Sequence, residues 1–252
     1  MRDKKGQRNV LTFFDFWGFY ASFAIPYFIS MPLLSNLSIK RLMILSLVLI
    51  GGCTFQKEKS EEVISDKSIS QEEEFNQLLS SGLQQVSQWG SFWKEVDPRF
   101  DITKFSMSRE VTYESLEWPE ENFIQPGNPF HKFLIPHPEG GGVVDIYSYK
   151  VVIPEEGGVS FNPDSEVIYF KSNGMRERLL FMGPSGGFEE AVWVSPEYLM
   201  VSGFFEDEEG VTPKVWLINP ERQVYYVFNH PFHTSEYPKT KYLKDKLDNI
   251  DF

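Results

Sequence analysis

Hydrophobic and polar positions follow a helical period near the middle of this chain. From Gln71 to Val96 apolar residues recur every three or four positions, which predicts an amphipathic helix with one broad apolar face. These positions are Phe75, Leu78, Leu79, Val86, Trp89, Trp93 and Val96. Asp97-Pro98 ends the pattern, and Gly90 is a place where the helix can break. We expect Trp89 and Trp93 to pack in the core rather than to form a binding platform.

From His131 onward the pattern changes to short runs of β-branched and aromatic residues between turn residues, which predicts strands. The predicted strands are His131–Pro136, Val143–Ile153, Glu166–Lys171, Glu177–Met182, Glu190–Ser195, Tyr198–Phe205, Pro213–Asn219 and Gln223–Asn229. Asn173-Gly174 predicts a hairpin with a primed turn. The segment Pro98–Pro129 is expected to be irregular and to wrap the domain.

Because no helical pattern separates these strands, they should pair mostly antiparallel. The predicted fold class is mainly β (α+β), an antiparallel meander or curled sheet of about eight strands with one N-terminal amphipathic helix. Phe161–Tyr169 and Val192–Val201 resemble the repeats of β-propellers. About eight strands make only two blades, whereas closed propellers have roughly four to eight blades, so a curled sheet or half-barrel is expected.

The segment before the helix carries a targeting pattern. Lys40 and Arg41 precede an apolar run that leads through Gly51-Gly52 to Cys53, the only cysteine in the chain. The run is about half the roughly 20 residues that a membrane-spanning helix needs, so it is typical of a signal-peptide core. The alternative is a buried strand that ends at two glycines.

Ile50-Gly51-Gly52-Cys53 resembles the lipobox of bacterial lipoproteins, with Ile at the position where Leu is usual. The resemblance implies cleavage before Cys53 and lipidation of its thiol, and two or more acyl chains give stable membrane anchoring. The domain that follows resembles uncharacterised envelope lipoproteins with propeller-like strand repeats. The expected location is the bacterial cell envelope. Thr54, where an Asp would favour the inner membrane, is compatible with the outer membrane.

The predicted domain organisation starts with a leader over residues 1–52. Met31 begins a segment of signal-peptide length, so 31–52 is the expected signal peptide and 1–30 a wrongly included start; an additional membrane helix is the alternative. Residues 53–71 are polar and are expected to form a flexible tether. Residues 72–252 are expected to form a single β-rich domain.

The net charge of the chain limits the kinds of partner that it can bind. Residues 1–52 hold 6 of the 24 Lys and Arg and 2 of the 36 Asp and Glu, so the remainder has 18 cations, 34 anions and a formal charge of −16. This balance argues against nucleic-acid binding, which depends on neutralising phosphates, and against electrostatic docking on anionic lipid. With a single cysteine, no internal disulfide can form.

The segment Gly183–Gly187 matches the G-x-S-x-G pattern of a nucleophile elbow, with Ser185 as the candidate nucleophile. Asp207 and either His230 or His233 follow in the order acid then histidine. The elbow needs a helix after the serine, whereas the residues that follow predict a strand. A plain loop is therefore the favoured interpretation, and hydrolysis by Ser185, Asp207 and His230 is the alternative.

Two further patterns contain residue types that can bind metal ions. His230-x-x-His233 with His131 could ligate a metal, but Pro231 disfavours a helical arrangement of the pair. The acidic turn over residues 206–210 lacks the alternating spacing of a calcium loop. The sequence predicts no metal and no cofactor.

Aromatic residues in the predicted strands suggest a surface for stacking on sugar rings, with Trp193, Trp216 and Tyr225 as the candidates. Their nearly continuous apolar neighbours favour core packing instead. The leading functional hypothesis is a non-enzymatic, membrane-anchored lipoprotein that binds an envelope protein or glycan. The alternatives are a lipid-anchored serine hydrolase and a structural subunit of an envelope complex.

Overall fold

The helical pattern folds as two helices in the computed structural model, which describes residues 58–252 and the side chains from residue 71 onward. They are α1 (Glu58–Gln85) and α2 (Ser87–Val96). The break lies at Val86, whose φ of −95° and ψ of 38° leave the helical region, and not at Gly90. Val86 is buried, so the break keeps its side chain and that of Trp89 against the core.

Helix α1 begins at Glu58 and therefore includes residues 58–71, where a flexible tether was predicted. Glu, Lys and Gln are good helix formers, and a helix that is already nucleated extends at low cost. The leader, Cys53 and residues 54–57 of the predicted tether lie outside the described residues.

Twelve strands follow in the described chain. They are β1 (Ser106–Thr112), β2 (Leu116–Pro119), β3 (Ile135–Pro136), β4 (Gly142–Asp145), β5 (Val151–Val152), β6 (Ser160–Phe161), β7 (Ser165–Lys171), β8 (Met175–Met182), β9 (Gly186–Trp193), β10 (Leu199–Asp207), β11 (Gly210–Asn219) and β12 (Val224–Asn229). Two short 3-10 helices, Ile102–Lys104 and His131–Phe133, and a final helix α3 (Lys241–Lys246) complete the described elements.

The strands form two five-stranded sheets and a small ribbon. Sheet A has the order β1-β12-β11-β10-β9, sheet B has the order β2-β8-β7-β4-β3, and β5 pairs with β6. Neighbouring strands pair antiparallel in each case. The predicted mainly β, antiparallel fold is confirmed, but its strands divide between two sheets instead of curling as one.

The strand predictions are accurate where strands are apolar and fail at sheet edges. Strands β7, β8, β10, β11 and β12 lie close to their predicted positions. The predictions for His131–Pro136 and Val143–Ile153 are too long, because each range holds only short strands. Residues 98–129 were expected to be irregular, yet β1 and β2 lie there. Both are edge strands whose side chains are mostly exposed, so their sequences lack the apolar signal of a buried strand.

The hairpin predicted at Asn173-Gly174 joins β7 to β8. Its loop has three residues, and the Gly174 amide donates to the Lys171 carbonyl at 3.1 Å. Gly174 has a φ of +83°, while Asn173 keeps a negative φ. The predicted primed turn is therefore wrong, and the loop matches a turn that closes on a left-handed glycine.

The N-terminal helices pack on one face of sheet A. The ring of Phe75 lies 4.2 Å from that of Tyr226 in β12, measured between centroids. Trp93 stacks on Tyr237 at 4.2 Å. Trp89 and Trp93 have no exposed surface, which confirms their prediction as core residues.

The opposite face of sheet A packs on sheet B, where Tyr169 of β7 contacts Trp193 of β9 at 5.7 Å between ring centroids. All described residues belong to one compact unit, Cys53–Phe252, with one continuous core. Within that part of the chain, the helices are too short or too polar to cross a membrane.

Candidate functional site

A pocket of about 490 Å³ lies between sheets A and B. Pockets for small molecules typically measure roughly 300–1,000 Å³ and are mostly apolar with a few polar groups. This pocket has that volume, and its lining surface is divided about equally between polar and apolar atoms. Its apolar residues are Leu180, Phe181, Met182, Phe188, Phe205, Trp216, Tyr225 and Val227, and its polar residues are Ser108, Arg109, Lys214 and Asn229.

Strand register brings the polar residues to this pocket. Arg109 of β1 lies opposite Val227 of β12, which in turn lies opposite Trp216 of β11, so the three side chains share one face of sheet A. Lys214 precedes Trp216 by two residues and therefore points to the same face. A bulge in β1 between Met107 and Arg109 shifts the register. Such a shift changes the direction of the side chains that follow it.

The two cations of the pocket are close enough to influence each other. Burial and then the charge of Arg109 lower the pKa of Lys214, while Asp207 acts in the opposite direction. Lys214 Nζ lies 4.3 Å from the centroid of the Phe205 ring. Among residues 71–252, neither Arg109 nor Lys214 has a carboxylate oxygen within 4.0 Å. Their positive charges therefore face the pocket without an ion-pair partner in the described chain.

The structure places two of the three predicted aromatic binding residues in the pocket and the third one elsewhere. Trp216 and Tyr225 both line the pocket. Trp193 lies elsewhere in the core, with its ring 4.5 Å from that of His137. Trp216 is only 3% exposed, so its ring forms a wall and not an open stacking platform.

Ser185 lies in the turn between β8 and β9. Its carbonyl accepts the Glu206 amide proton at 2.7 Å. The next residue, Gly186, begins a strand, whereas a nucleophile elbow continues into a helix. The local structure is thus that of a connecting turn.

The two partners proposed for Ser185 are engaged with other groups. His230 Nε2 lies 2.8 Å from the Asp101 carbonyl, and its Nδ1 accepts the Phe232 amide proton at 3.1 Å. Asp207 accepts the Glu209 amide proton at 2.9 Å. Topology places all three residues at the same end of sheet A, but among the described side chains no hydrogen bond links them. Since both ring nitrogens of His230 are already bonded to backbone, the imidazole is not poised to accept a serine proton.

The structure does not bring His131, His230 and His233 together as a set of metal ligands. His233 Nε2 lies 3.5 Å from Glu209, and His131 belongs to a separate 3-10 helix. The described residues contain no group of three or more potential metal ligands. At the acidic hairpin tip, Glu206 forms an ion pair with Lys239 at 2.5 Å.

A second polar cluster, which the sequence patterns did not indicate, surrounds Glu189 in β9. Glu189 has no exposed surface and accepts hydrogen bonds from Trp89 Nε1 at 2.9 Å and from the Tyr237 hydroxyl at 2.5 Å. Burial raises its pKa to about 8, against the lowering effect of these two bonds. The neighbouring Glu190 accepts from Tyr242 and Lys246. This cluster ties sheet A to α2 and to the C-terminal segment, and its enclosure suits a structural role.

The sequence patterns do not identify Arg109 and Lys214 as a pair, because the two residues lie in strands that are far apart in the chain and meet only in the folded sheet. Lys214 is the one charged residue in β11, which is a local signal that the sequence does contain. Arg109 lies in a strand that the hydrophobic pattern does not reveal. Comparisons with protein-family models, curated protein sequences and solved structures found no match to this chain.

Proposed function

We propose that this chain is a lipid-anchored protein of the bacterial cell envelope that binds a ligand in the pocket between its two sheets and does not transform it. The observation that carries the binding proposal is that Arg109 and Lys214 line one pocket together with the buried apolar side chains Phe188, Trp216 and Val227. Lys214 is partly buried and has no ion-pair partner among residues 71–252, and burying a cation in this way costs free energy in the empty protein. A ligand that supplies the missing charge would remove that cost.

The anchoring part of the proposal rests on the sequence that ends at Cys53. A basic flank, a short apolar run and two glycines before a lone cysteine support lipidation there. The membrane is then a partner through the lipid anchor, with the outer membrane as the proposed location. The formal charge of −16 after residue 52 supports a role that does not involve nucleic acid.

Three other functions have less support. The bonds of His230 to backbone groups disfavour a serine hydrolase, and we expect a fluorophosphonate probe to leave Ser185 unlabelled. The burial of Trp216 disfavours stacking on a glycan. A structural role in an envelope complex has no specific contact or surface in its favour.

The anchor is tested by metabolic labelling with palmitate. Cys53→Ala should abolish labelling and leave the precursor uncleaved, because only the Cys53 thiol can accept the lipid. Thr54→Ala, one residue away, should keep normal labelling. Labelling that survives in Cys53→Ala would refute the lipobox interpretation.

The pocket is tested with N-phenyl-1-naphthylamine, a neutral dye that fluoresces in apolar sites. Residues 53–252 with Cys53→Ser should bind the dye, and Asn229→Trp should weaken binding at least fivefold by filling the pocket. Glu110→Trp is the control, because Glu110 lies opposite Tyr226 on the other face of sheet A. Absence of dye binding, or equal effects of the two tryptophans, would refute a binding role for this pocket.

A further inference from the structure

The mouth of the pocket changes from polar to apolar over a short distance. Arg109 is exposed and Lys214 is half-buried, whereas Phe188, Trp216 and Val227 behind them are at most 3% exposed. Phe188 and Trp216 meet edge to face with ring centroids 5.1 Å apart, which fixes both rings. A ligand that fits must therefore carry charge at one end and apolar surface at the other.

The two cations of the pocket determine the sign of the charge on the ligand. The chain after residue 52 has about two anions for each cation, with 34 against 18. Even so, Arg109 and Lys214 are the charged side chains that line this pocket, and no carboxylate of the described residues lines it with them. Arg presents a planar fork that matches carboxylate or phosphate oxygens, and Lys adds a compact point charge. The complementary group is an anionic oxygen head.

The side chains that line the pocket indicate the polarity of the rest of the ligand. The polar side chains besides the cations are Ser108 and Asn229, and the Ser108 hydroxyl already donates to the Val227 carbonyl at 2.9 Å. Few neutral polar side chains therefore remain to pair with the many hydroxyl groups of a sugar or amide groups of a peptide. Phe181, which is 49% exposed at the pocket, extends the apolar surface outward. An alkyl chain can pack against the apolar side chains and has no polar groups that need hydrogen-bond partners.

We propose that the pocket binds a single-chain amphiphile with an anionic head, with the head at Arg109 and Lys214 and the chain against Phe188 and Trp216. This inference rests on the proposed function, since it names the ligand class of the same pocket. Carboxylate and phosphate heads share the required chemistry.

The test measures binding of laurate and lauryl phosphate to residues 53–252 with Cys53→Ser, by displacement of N-phenyl-1-naphthylamine. Lys214→Met and Arg109→Gln should each weaken the preferred anion about tenfold or more, because a hydrogen bond to a charged group is lost. Dodecanol, which lacks the charge, should bind the variants and the unsubstituted pocket within about twofold. Shortening laurate by two CH₂ groups should weaken binding about 15-fold, since each buried CH₂ is worth about fourfold.

Lys104→Met is the matched control, because Lys104 is an exposed cation that lies outside this pocket. A preference for laurate over lauryl phosphate, or the reverse, identifies the source of the head group. Dye binding together with equal affinity for laurate, dodecanol and dodecylamine would refute the anionic ligand while the pocket's binding role stands. Absence of dye and laurate binding would refute both proposals.

Discussion

At the scale of single residues, Glu189 shows how burial changes the chemistry of a side chain. It sits in β9 with no exposed surface, and two hydrogen bonds from Trp89 and Tyr237 do not offset the loss of water. Burial raises its pKa from 4.5 to about 8. The folded protein therefore holds a proton at neutral pH that the unfolded chain releases.

This proton makes stability depend on pH in a defined direction. The contribution of Glu189 is fully present below about pH 4.5 and decreases as pH rises to about 8, by up to about 1.4 kcal/mol per pH unit. Glu189→Gln mimics the protonated form, so it should lose this dependence and gain stability relative to the unsubstituted protein as pH rises. Urea unfolding at pH 5 and pH 8 measures the change.

Glu197→Gln is the control for this experiment, since Glu197 is exposed in the turn between β9 and β10. It should shift the free energy of unfolding equally at both pH values. If Glu189→Gln behaves in the same way as Glu197→Gln, the raised pKa of Glu189 is wrong.

At the scale of elements, two glycines in the N-terminal helices differ in what surrounds them. A Cβ on Gly82 of α1 would lie 2.4 Å from Met200 Sδ and 2.7 Å from Val194 Cγ1. Met200 is fully buried in β10, so it has no room to move away. A Cβ on Gly90 of α2 would lie 2.6 Å from the end of Ile102, which is only half-buried. Gly82 thus sets how closely α1 approaches sheet A.

The two glycines should respond oppositely to alanine. Gly90→Ala should raise stability by up to about 1 kcal/mol, because alanine favours the helix and Ile102 can shift. Gly82→Ala should lower it by about 1–2 kcal/mol, since overpacking costs about 1–3 kcal/mol and exceeds the gain in helix propensity. Chemical denaturation of both variants tests the pair. Stabilisation by Gly82→Ala would contradict the close packing of α1 on sheet A.

At the scale of the whole molecule, the large negative net charge lowers the stability of the folded state. The chain after residue 52 carries a formal charge of −16, and self-repulsion of this kind destabilises a folded state. Some of the ion pairs that could offset it are exposed, as in Lys132–Asp248 and Lys241–Asp245, whereas Lys171–Glu177 and Lys246–Glu190 are partly buried and are screened much less by salt. Exposed pairs contribute little individually. Long-range repulsion should therefore dominate the response to salt.

Raising NaCl from 10 mM to 1 M shortens the Debye length from about 30 Å to about 3 Å and screens this repulsion. The melting temperature of residues 53–252 with Cys53→Ser should rise by a few degrees, as measured by circular dichroism. KCl at the same ionic strength should have the same effect. A fall in melting temperature would show that the ion pairs outweigh the repulsion.

The sequence determined those features that depend on local pattern. The 3.6-residue period marked the apolar face of α1 and α2, and β-branched runs marked the central strands of both sheets. Ile50-Gly51-Gly52-Cys53 supplied the prediction of location. In each of these cases the signal lies within a short window of residues, because neighbouring side chains share one face of a helix or one strand.

Only the tertiary structure decided which residues meet. The sequence indicated Trp216 and Tyr225 as binding candidates, but not that the partly polar edge strand β1 brings Arg109 beside Lys214. It also gave no sign that Glu189 would be sealed under α2. Both outcomes depend on register and on contacts between distant segments. No local pattern encodes them, because the free energy of burying a charge is set by whatever the rest of the fold places around it.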